Sequence, residues 1–210
     1  IAVFGQSAGV YRACLLAREE TRPRAYVLSG GLYRDYNEMM SYNYHRVRDY
    51  ANRSPAHLEW AEKNDLWGLA LGVNLDRMFD AISMGETQFR VEYKGHVWMF
   101  PLNNQIHTPE YASKNQFKYI KRPTLIIHGD TDLNVPVQDA ESIEKELKRS
   151  GNNDVKRVII KNADHSFQEV DPDEETRLRE RMSLESFKHP YIESYFQNII
   201  AFLKERFPNA

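Results

Sequence analysis

Short, mostly apolar runs recur near both ends of the chain, and some of them end in glycine. They cover residues 1–4 and 25–29 in the N-terminal part, and residues 123–129 and 155–160 in the C-terminal part. Apolar runs of this length, bounded by turn residues, are typical of strands buried on both faces of a sheet. The pattern therefore predicts a mostly parallel sheet.

The segments that follow these strands carry the periodicity of helices. Residues 10–17 are apolar on nearly every side, which indicates a buried helix. A later helix has one apolar face and stops before Gly151, and a last helix covers residues from about 191 to 206. The predicted core stripe of this last helix consists of Tyr195, Phe196, Ile199, Ile200 and Leu203. Alternating strands and helices predict an α/β fold, with helices flanking the sheet.

Residues 32–118 interrupt this rhythm, and we define them as the cap region. They hold all three tryptophans, and the spacing of Leu66, Leu69, Ala70 and Val73 is helical. The sequence thus predicts a mainly helical cap inserted between two parts of a hydrolase-like core, residues 1–31 and 119–210. Since the preceding strand ends at the carboxyl edge of the sheet, the cap should fold over that edge.

Composition and charge narrow the possible partners. The chain has 210 residues with 28 Lys and Arg against 30 Asp and Glu, a net charge of −2. This balance supplies no basic stripe for a phosphate backbone, so we expect no nucleic-acid partner. No apolar run reaches the length of about 18–20 residues that a membrane span needs. Cys14 is the only cysteine, which excludes an internal disulfide and a cysteine-based zinc site.

The segment Gly5-Gln6-Ser7-Ala8-Gly9 fits the pattern G-x-S-x-G between a predicted strand and a predicted helix. That context is typical of a nucleophile elbow, a turn so sharp that its flanking residues must be glycines. Ser7 is then the candidate nucleophile, and the backbone N–H of Ala8 is a candidate oxyanion donor. The alternative is a glycine-rich turn in which Ser7 only caps the helix.

Two further candidates follow predicted strands, as a serine nucleophile requires a base and an orienting acid. Asp132 comes after the strand at 123–129, and His165 comes after the strand at 155–160. The carboxyl ends of parallel strands share one edge, where open α/β sheets place their sites. The order Ser, Asp, His is the one found in α/β-hydrolases.

Other polar residues near these positions have simpler interpretations. Asp130 is an alternative acid, but local turn hydrogen bonding is its expected role. Asp164 is expected to be solvated, and His128 to be a packed, hydrogen-bonded residue. Packing in the cap or at the surface is expected for the remaining histidines, His45, His57, His96, His107 and His189. The charged run at 171–181 predicts a solvated loop or a short helix.

Three motifs together resemble the C-terminal part of an α/β-hydrolase of the esterase, lipase and prolyl-oligopeptidase-like group. These are the serine turn, the acid loop at 125–136 and the histidine loop at 162–167. The resemblance covers residues 1–31 and 119–210 and implies that Ser7 is the nucleophile, Asp132 the acid and His165 the base. It implies no cofactor and no metal.

In that group several strands precede the nucleophile, and a loop among them donates the second oxyanion N–H. Here the nucleophile is already residue 7, and the chain opens inside an apolar strand. We therefore expect that the missing N-terminal half of the fold lies in the same protein or in another chain. Without it, the first strand would be a bare sheet edge.

The resemblance implies a serine hydrolase that cleaves carboxylic-ester-like bonds through an acyl-enzyme. A large insertion between Ser7 and Asp132 favours an esterase over a peptidase of prolyl-oligopeptidase type, in which the accessory domain precedes the hydrolase part. Thioesterases, acyltransferases and C–C hydrolases use the same triad, and a non-catalytic binding protein is a further alternative.

The aromatic residues of the cap region bear on the substrate. They suggest a small-molecule substrate with an apolar or aromatic acyl group, because ligand sites are commonly lined in this way. At least some of these aromatic residues are predicted to line the cleft over Ser7: Tyr33, Trp60, Trp67, Trp98 and Phe100. The alternative is that they form the cap's own core.

Overall fold

The computed structural model describes residues 1–102 and 108–208. Four parallel strands form the main sheet in the order β1-β2-β5-β6. Their bounds are Ala2–Gln6 (β1), Ala25–Ser29 (β2), Thr124–Gly129 (β5) and Val155–Ile160 (β6). The four predicted strands and the α/β fold class are confirmed, and the architecture is that of a partial α/β-hydrolase.

Helices cover both faces of this sheet. They are α1 (Ala8–Glu19) and α5 (Gln138–Arg149) on one face and α7 (Glu193–Arg206) on the other. Alternate residues of β2 serve the two sides, since Tyr26 and Leu28 pack toward α1 while Ala25 and Val27 pack toward α7. Two apolar layers therefore hold the sheet rigidly under its carboxyl edge.

Burial in two elements differs from what their apolar patterns alone predict. The apolar run of β1 is typical of a fully buried strand, but in this chain β1 is the bare sheet edge expected without the preceding strands, and Phe4 is 53% exposed. In α7 the residues facing the sheet follow the spacing of Tyr195, Ile199 and Phe202. Phe196 and Ile200 of the predicted stripe are 44% and 50% exposed, because that stripe is wider than the face that a helix lays on a sheet.

The cap region contains three helices and a hairpin. The helices are α2 (Tyr36–Ala51), α3 (Pro55–Asn64) and α4 (Leu66–Ser83). The hairpin pairs β3 (Gln88–Tyr93) with β4 (His96–Pro101) in antiparallel register. This hairpin was not predicted, although Lys94 and Gly95 at its turn both have positive φ, as a tight two-residue hairpin turn requires. The boundaries of a separate cap domain stay a prediction.

Side-chain bonds tie the cap region to the sheet. Asp139 on α5 is buried, and it accepts hydrogen bonds from the backbone N–H of Tyr33 and from the guanidinium of Arg34. Tyr42 on α2 donates its hydroxyl hydrogen to the carbonyl oxygen of Asp132 at 3.0 Å. The cap is thus fastened directly to the loop that carries the candidate acid.

Among the described residues, no helix combines the length and the apolar character needed to cross a bilayer. The last α-helix of the core before α7 is α6 (Glu174–Ser183), which arises within the charged run of the C-terminal part. It packs against the cap through Leu178 and Met182, which share an apolar cluster with Val47 and Leu69. His107 lies outside the described residues.

Candidate active site

Ser7 occupies the turn between β1 and α1 with φ 52° and ψ −121°. A non-glycine residue with positive φ costs about 1–3 kcal/mol and persists only where its surroundings enforce it. The Ser7 N–H donates to Ser29 O at 2.9 Å, and a Cβ on Gly5 would lie 2.5 Å from Gly9 O. A Cβ on Gly9 would meet no atom within 4 Å, so the predicted need for glycine holds at Gly5 and is wrong for Gly9.

The Ser7 side chain makes no capping hydrogen bond to α1. The alternative in which Ser7 merely caps this helix therefore has no support in the geometry. Because Ala8 is the first residue of α1, its N–H has no acceptor within the helix. The turn thus presents a hydroxyl and a free backbone donor side by side.

Asp132 lies in the loop after β5 and is only 3% exposed. Its Oδ1 accepts the backbone N–H groups of Asn134 and Val135 at 2.7 and 2.9 Å. Its Oδ2 lies 2.7 Å from His165 Nδ1. The alternative acid Asp130 is exposed, and Asp132 is the carboxylate that meets the histidine.

His128, at the end of β5, is fully buried beneath this carboxylate. Its Nε2 donates to Val135 O at 3.0 Å and lies 3.3 Å from Asp132 Oδ2. The structure thus places His128 as the packed, hydrogen-bonded residue that the sequence predicts, and it adds a second imidazole nitrogen beside the acid.

The histidine loop approaches β5 very closely. A Cβ on Gly129 would lie 2.3 Å from Ala163 O, and the Thr131 hydroxyl donates to that same oxygen at 2.7 Å. Asp164 was expected to be solvated, which is wrong. It is half-buried, and its Oδ1 accepts the N–H groups of Ser166 and Gln168, so it stabilises the turn that presents His165.

The electrostatics of the pair follow from burial and mutual attraction. Burial alone would raise the pKa of Asp132, but the charge of His165 and hydrogen bonds from His128 and His165 outweigh it and hold that pKa below the usual range. Burial alone would lower the pKa of His165, but Asp132 reverses this and raises it. The arrangement therefore stabilises an imidazolium beside an ionised carboxylate.

Ser7 and His165 meet in a cavity of about 270 Å³, which we call the Ser7 cavity. Between these two described residues the structure contains no hydrogen bond from the Ser7 hydroxyl to the imidazole. Without a ligand such bonds are often long and tighten only with substrate bound. The other walls are mostly apolar and come from Ala8, Tyr11, Leu32, Tyr36, Met39, Asn43, Ser113, Asn134 and Val135.

A second cavity of about 270 Å³ also has His165 in its wall, and we call it the Arg181 cavity. It shares His165, Asn43 and Asn134 with the Ser7 cavity. Its remaining walls combine charged and polar residues with apolar ones: Asp65, Thr131, Asp164, Arg177, Glu180 and Arg181, together with Trp67, Leu133, Val170, Met182, Leu184 and Phe187.

Sequence reasoning missed the residues of this second cavity. The charged run at 171–181 was predicted to be a solvated loop or a short helix, and the short helix α6 forms there, but one face of it packs against the cap and carries the Arg181 guanidinium inward. The apolar spacing of Leu178 and Met182 within the run was the available signal for a packed helix. Asn43 carried no signal that distinguishes it from other polar cap residues.

The predicted aromatic lining of the Ser7 cleft is wrong. None of the five predicted residues is among the lining residues of the Ser7 cavity, and Trp67 lines the Arg181 cavity instead. Trp67, Trp98 and Phe100 pack on one another within the cap. Trp60 packs on Tyr50, and Tyr33 stacks on Phe117. The cap's own core therefore takes up most of these rings.

Within residues 1–102 and 108–208, no group of three or more His, Cys, Asp or Glu side chains is placed to hold a metal ion. The cluster around Asp132 is instead organised by hydrogen bonds between His128, Asp132 and His165. The arrangement has the donors and acceptors of acid–base and nucleophilic chemistry.

Comparison with solved structures shows the same fold at low identity. An esterase from Pyrococcus furiosus superposes with a TM-score of 0.51 and 17% identity, covering 98% of this chain and 53% of its own. The esterase domain of a Rhodothermus marinus protein gives 0.45 and 14%, covering 90% and 61%. An acylaminoacyl peptidase from Pyrococcus horikoshii gives 0.45 and 15%, covering 92% and 25%. The chain thus spans less than two thirds of the length of each of these proteins.

Comparison of the sequence with curated proteins finds no match. The family comparison does: the profile of the prolyl oligopeptidase family matches residues 60–184. That match covers more than half of the chain and includes Asp132 and His165, whereas Ser7 lies before it. Together with the α/β-hydrolase fold, this match shows that the chain belongs to the prolyl oligopeptidase family.

Proposed function

We propose that this chain carries the nucleophile, acid and base of a serine hydrolase that cleaves carboxylic-ester-like bonds. Ser7 is the nucleophile, His165 the general base, Asp132 the orienting acid and Ala8 N–H one oxyanion donor. The observation that carries the proposal is the 2.7 Å contact between Asp132 and His165 beside a strained serine in one shared cavity.

In the proposed reaction His165 Nε2 takes the hydroxyl proton as Ser7 Oγ attacks the acyl carbon. The carbonyl oxygen becomes an oxyanion that the Ala8 N–H stabilises. The bond to the leaving oxygen then breaks, and His165 gives its proton to that oxygen. Water attacks the acyl-enzyme by the same route in reverse, which releases the carboxylic acid and restores Ser7.

The walls of the Ser7 cavity support an apolar acyl group. Leu32, Met39 and Val135 supply aliphatic surface, and Tyr11 and Tyr36 add ring surface. A site with few polar groups beside the reacting atoms binds an apolar chain by burial and leaves orientation to the catalytic donors.

A peptide bond is the second candidate for the bond that is cleaved, and membership of the prolyl oligopeptidase family favours it. The same residues would serve, with nitrogen in place of oxygen as the leaving atom. A non-catalytic binding protein is the weaker alternative, because binding alone gives no reason to hold Ser7 at positive φ beside a buried Asp–His pair.

The deciding experiment is fluorophosphonate labelling of the full-length protein, which traps an activated serine covalently. We expect labelling of the native protein and none of Ser7→Ala. Ser166→Ala, which changes another serine beside His165, is the matched control and should still be labelled. Native protein that takes no label, or Ser7→Ala that is labelled as well as the native protein, would contradict the proposal. Esters and anilides of the same acyl group then decide between esterase and peptidase.

A further inference from the structure

The Arg181 cavity contains positive groups with unused hydrogen-bond donors. Arg181 Nη1 and Arg177 Nε are both buried and have no hydrogen-bond partner among the described residues. The two residues are four apart on α6, so they lie on the same face of that helix, and both line the cavity. Buried donors are normally satisfied, so two on one wall indicate a ligand that supplies acceptors.

The charge of Arg181 is only partly compensated. Within residues 1–102 and 108–208 no carboxylate forms an ion pair with its guanidinium, although the charge of Asp65 attracts it, and its Nε donates to Asn134 Oδ1 at 2.6 Å. Burial lowers the pKa of Arg181, but a guanidinium stays charged at neutral pH. A buried charge without a partner is costly, and an incoming anion would remove that cost.

Each carboxylate on the cavity wall already has a local partner for one of its oxygens. Asp65 Oδ1 accepts Gly68 N–H, and Asp164 Oδ1 accepts two backbone N–H groups of the histidine loop. Glu180 Oε1 lies 3.3 Å from His189 Nε2, while its Oε2 is buried without a hydrogen-bond partner among the described residues. Arg177 Nη1 donates to the carbonyl oxygens of Asp171 and Pro172, so Arg181 is the arginine that remains available to an external anion.

The position of the cavity indicates which part of a substrate it receives. It is lined by His165 but by neither Ser7 nor Ala8, which line the Ser7 cavity. In the proposed reaction His165 delivers its proton to the leaving atom, so the leaving group must lie on the side of His165. Trp67 supplies an aromatic wall there, and the volume of about 270 Å³ suits a group the size of one ring or one amino acid.

From this geometry we infer that the Arg181 cavity binds a leaving group carrying a carboxylate, which the Arg181 guanidinium recognises. The inference rests on the proposed hydrolase function and adds the leaving-group class to it. A charge-assisted hydrogen bond to a buried arginine should favour such a substrate over its neutral counterpart by on the order of tenfold to a hundredfold.

The test compares two esters that differ only at that carboxylate. They are the butanoyl esters of meta-hydroxybenzoate and of meta-hydroxybenzamide. Any change in the triad affects both esters equally, so it cancels in the ratio of their kcat/KM values. We expect the full-length protein to prefer the benzoate ester. Arg181→Gln should remove at least tenfold of that preference, Arg181→Lys should retain part of it, and the exposed Arg90→Gln should leave it unchanged. Unchanged circular dichroism spectra and thermal unfolding show that the variants are folded.

A binding measurement separates this inference from the proposed function. Ser7→Ala protein is titrated calorimetrically with meta-hydroxybenzoate and with meta-hydroxybenzamide, which needs no turnover. Tighter binding of the benzoate that is lost in Ser7→Ala with Arg181→Gln supports the anion site even if neither ester is hydrolysed. Hydrolysis of both esters at equal rates, with equal binding of both phenols, would overturn the anion site and leave the hydrolase proposal standing.

Discussion

The two cavities that meet at His165 differ in almost everything except size. The Ser7 cavity has mostly apolar walls and holds the nucleophile and its neighbouring backbone donor. The walls of the Arg181 cavity carry five charged side chains, include an arginine with an unsatisfied donor, and lack Ser7. His165, Asn43 and Asn134 line both cavities, and we call these three residues the partition.

This difference teaches how one site can treat the two halves of a substrate separately. Burial of an acyl chain against an apolar wall lowers the free energy of the bound state, and this contribution depends little on the shape of the chain. A wall of arginine donors demands a charge in a particular place. Changes in residues of the partition should therefore affect all substrates alike, whereas changes in one cavity should alter selectivity for one half only.

The largest expected effect on kcat comes from a change in a catalytic residue that serves every substrate. Asp132→Asn should lower kcat on the order of 10⁴-fold for every substrate, because an amide no longer holds the imidazole in the productive tautomer, as in other serine hydrolases with this triad. Steady-state kinetics on the two benzoate-derived esters measure it. Asp130→Asn, two residues earlier and exposed, is the matched control and should change kcat little. A large loss with Asp130→Asn alone would transfer the role of the acid to that residue.

The pH dependence of the reaction gives the next largest effect, and it should be the same for every acyl group and every leaving group. His165 must be neutral to accept a proton, and the neighbouring carboxylate raises its pKa. The protonated, inactive form therefore persists to higher pH than in an ordinary histidine, so kcat/KM should fall about tenfold per pH unit on the acid side of a midpoint above about 6.5. A profile that is flat between pH 5 and 8 would contradict a histidine base.

The sequence brings the three candidate residues to one edge of the sheet for a physical reason. Ser7, Asp132 and His165 each follow a strand of the parallel sheet, and parallel strands bring such positions to one edge whatever the details of packing. Gly5 and Gly129 then allow backbones to approach so closely that few local geometries remain. Fold and candidate triad are encoded locally, in strand patterns and adjoining turns.

The cavity walls were predicted poorly because they depend on contacts between distant segments. Trp60, Trp67 and Trp98 look alike in sequence, and only the packing of the cap decides which of them faces the site. Arg181 sits in a run whose charges suggest solvent, and its inward direction depends on the seating of α6 against the cap. The hairpin of the cap, by contrast, is encoded locally, in its alternation and its Lys94-Gly95 turn.

Selectivity for the acyl half should change when only the Ser7 cavity is altered. Met39→Ala removes a half-buried side chain from its wall, so longer acyl chains should gain relative to acetyl by about 1–3 kcal/mol in transition-state binding. Kinetics with a series of acyl chains on one leaving group measure the change. Met84→Ala, at a 75% exposed methionine, is the control. A shift in the preference for the benzoate over the benzamide leaving group would show that the two cavities are not independent.

The smallest expected effect concerns the strain at the nucleophile rather than either cavity. Ser7→Gly should relieve the cost of a positive φ, about 1–3 kcal/mol, and lose about 0.5–1 kcal/mol through the greater freedom of glycine in the unfolded chain. The free energy of unfolding should therefore rise by about 1 kcal/mol, which is a Tm increase of about 2–4 °C for a protein of this size. Ser7→Ala keeps the Cβ and hence the strain, so it should leave Tm nearly unchanged while abolishing turnover equally. Because both variants lose the hydroxyl, the difference between their Tm values reports the backbone strain at residue 7. If Ser7→Gly is no more stable than Ser7→Ala, the elbow is not strained, and the positive φ at Ser7 no longer argues for a catalytic role.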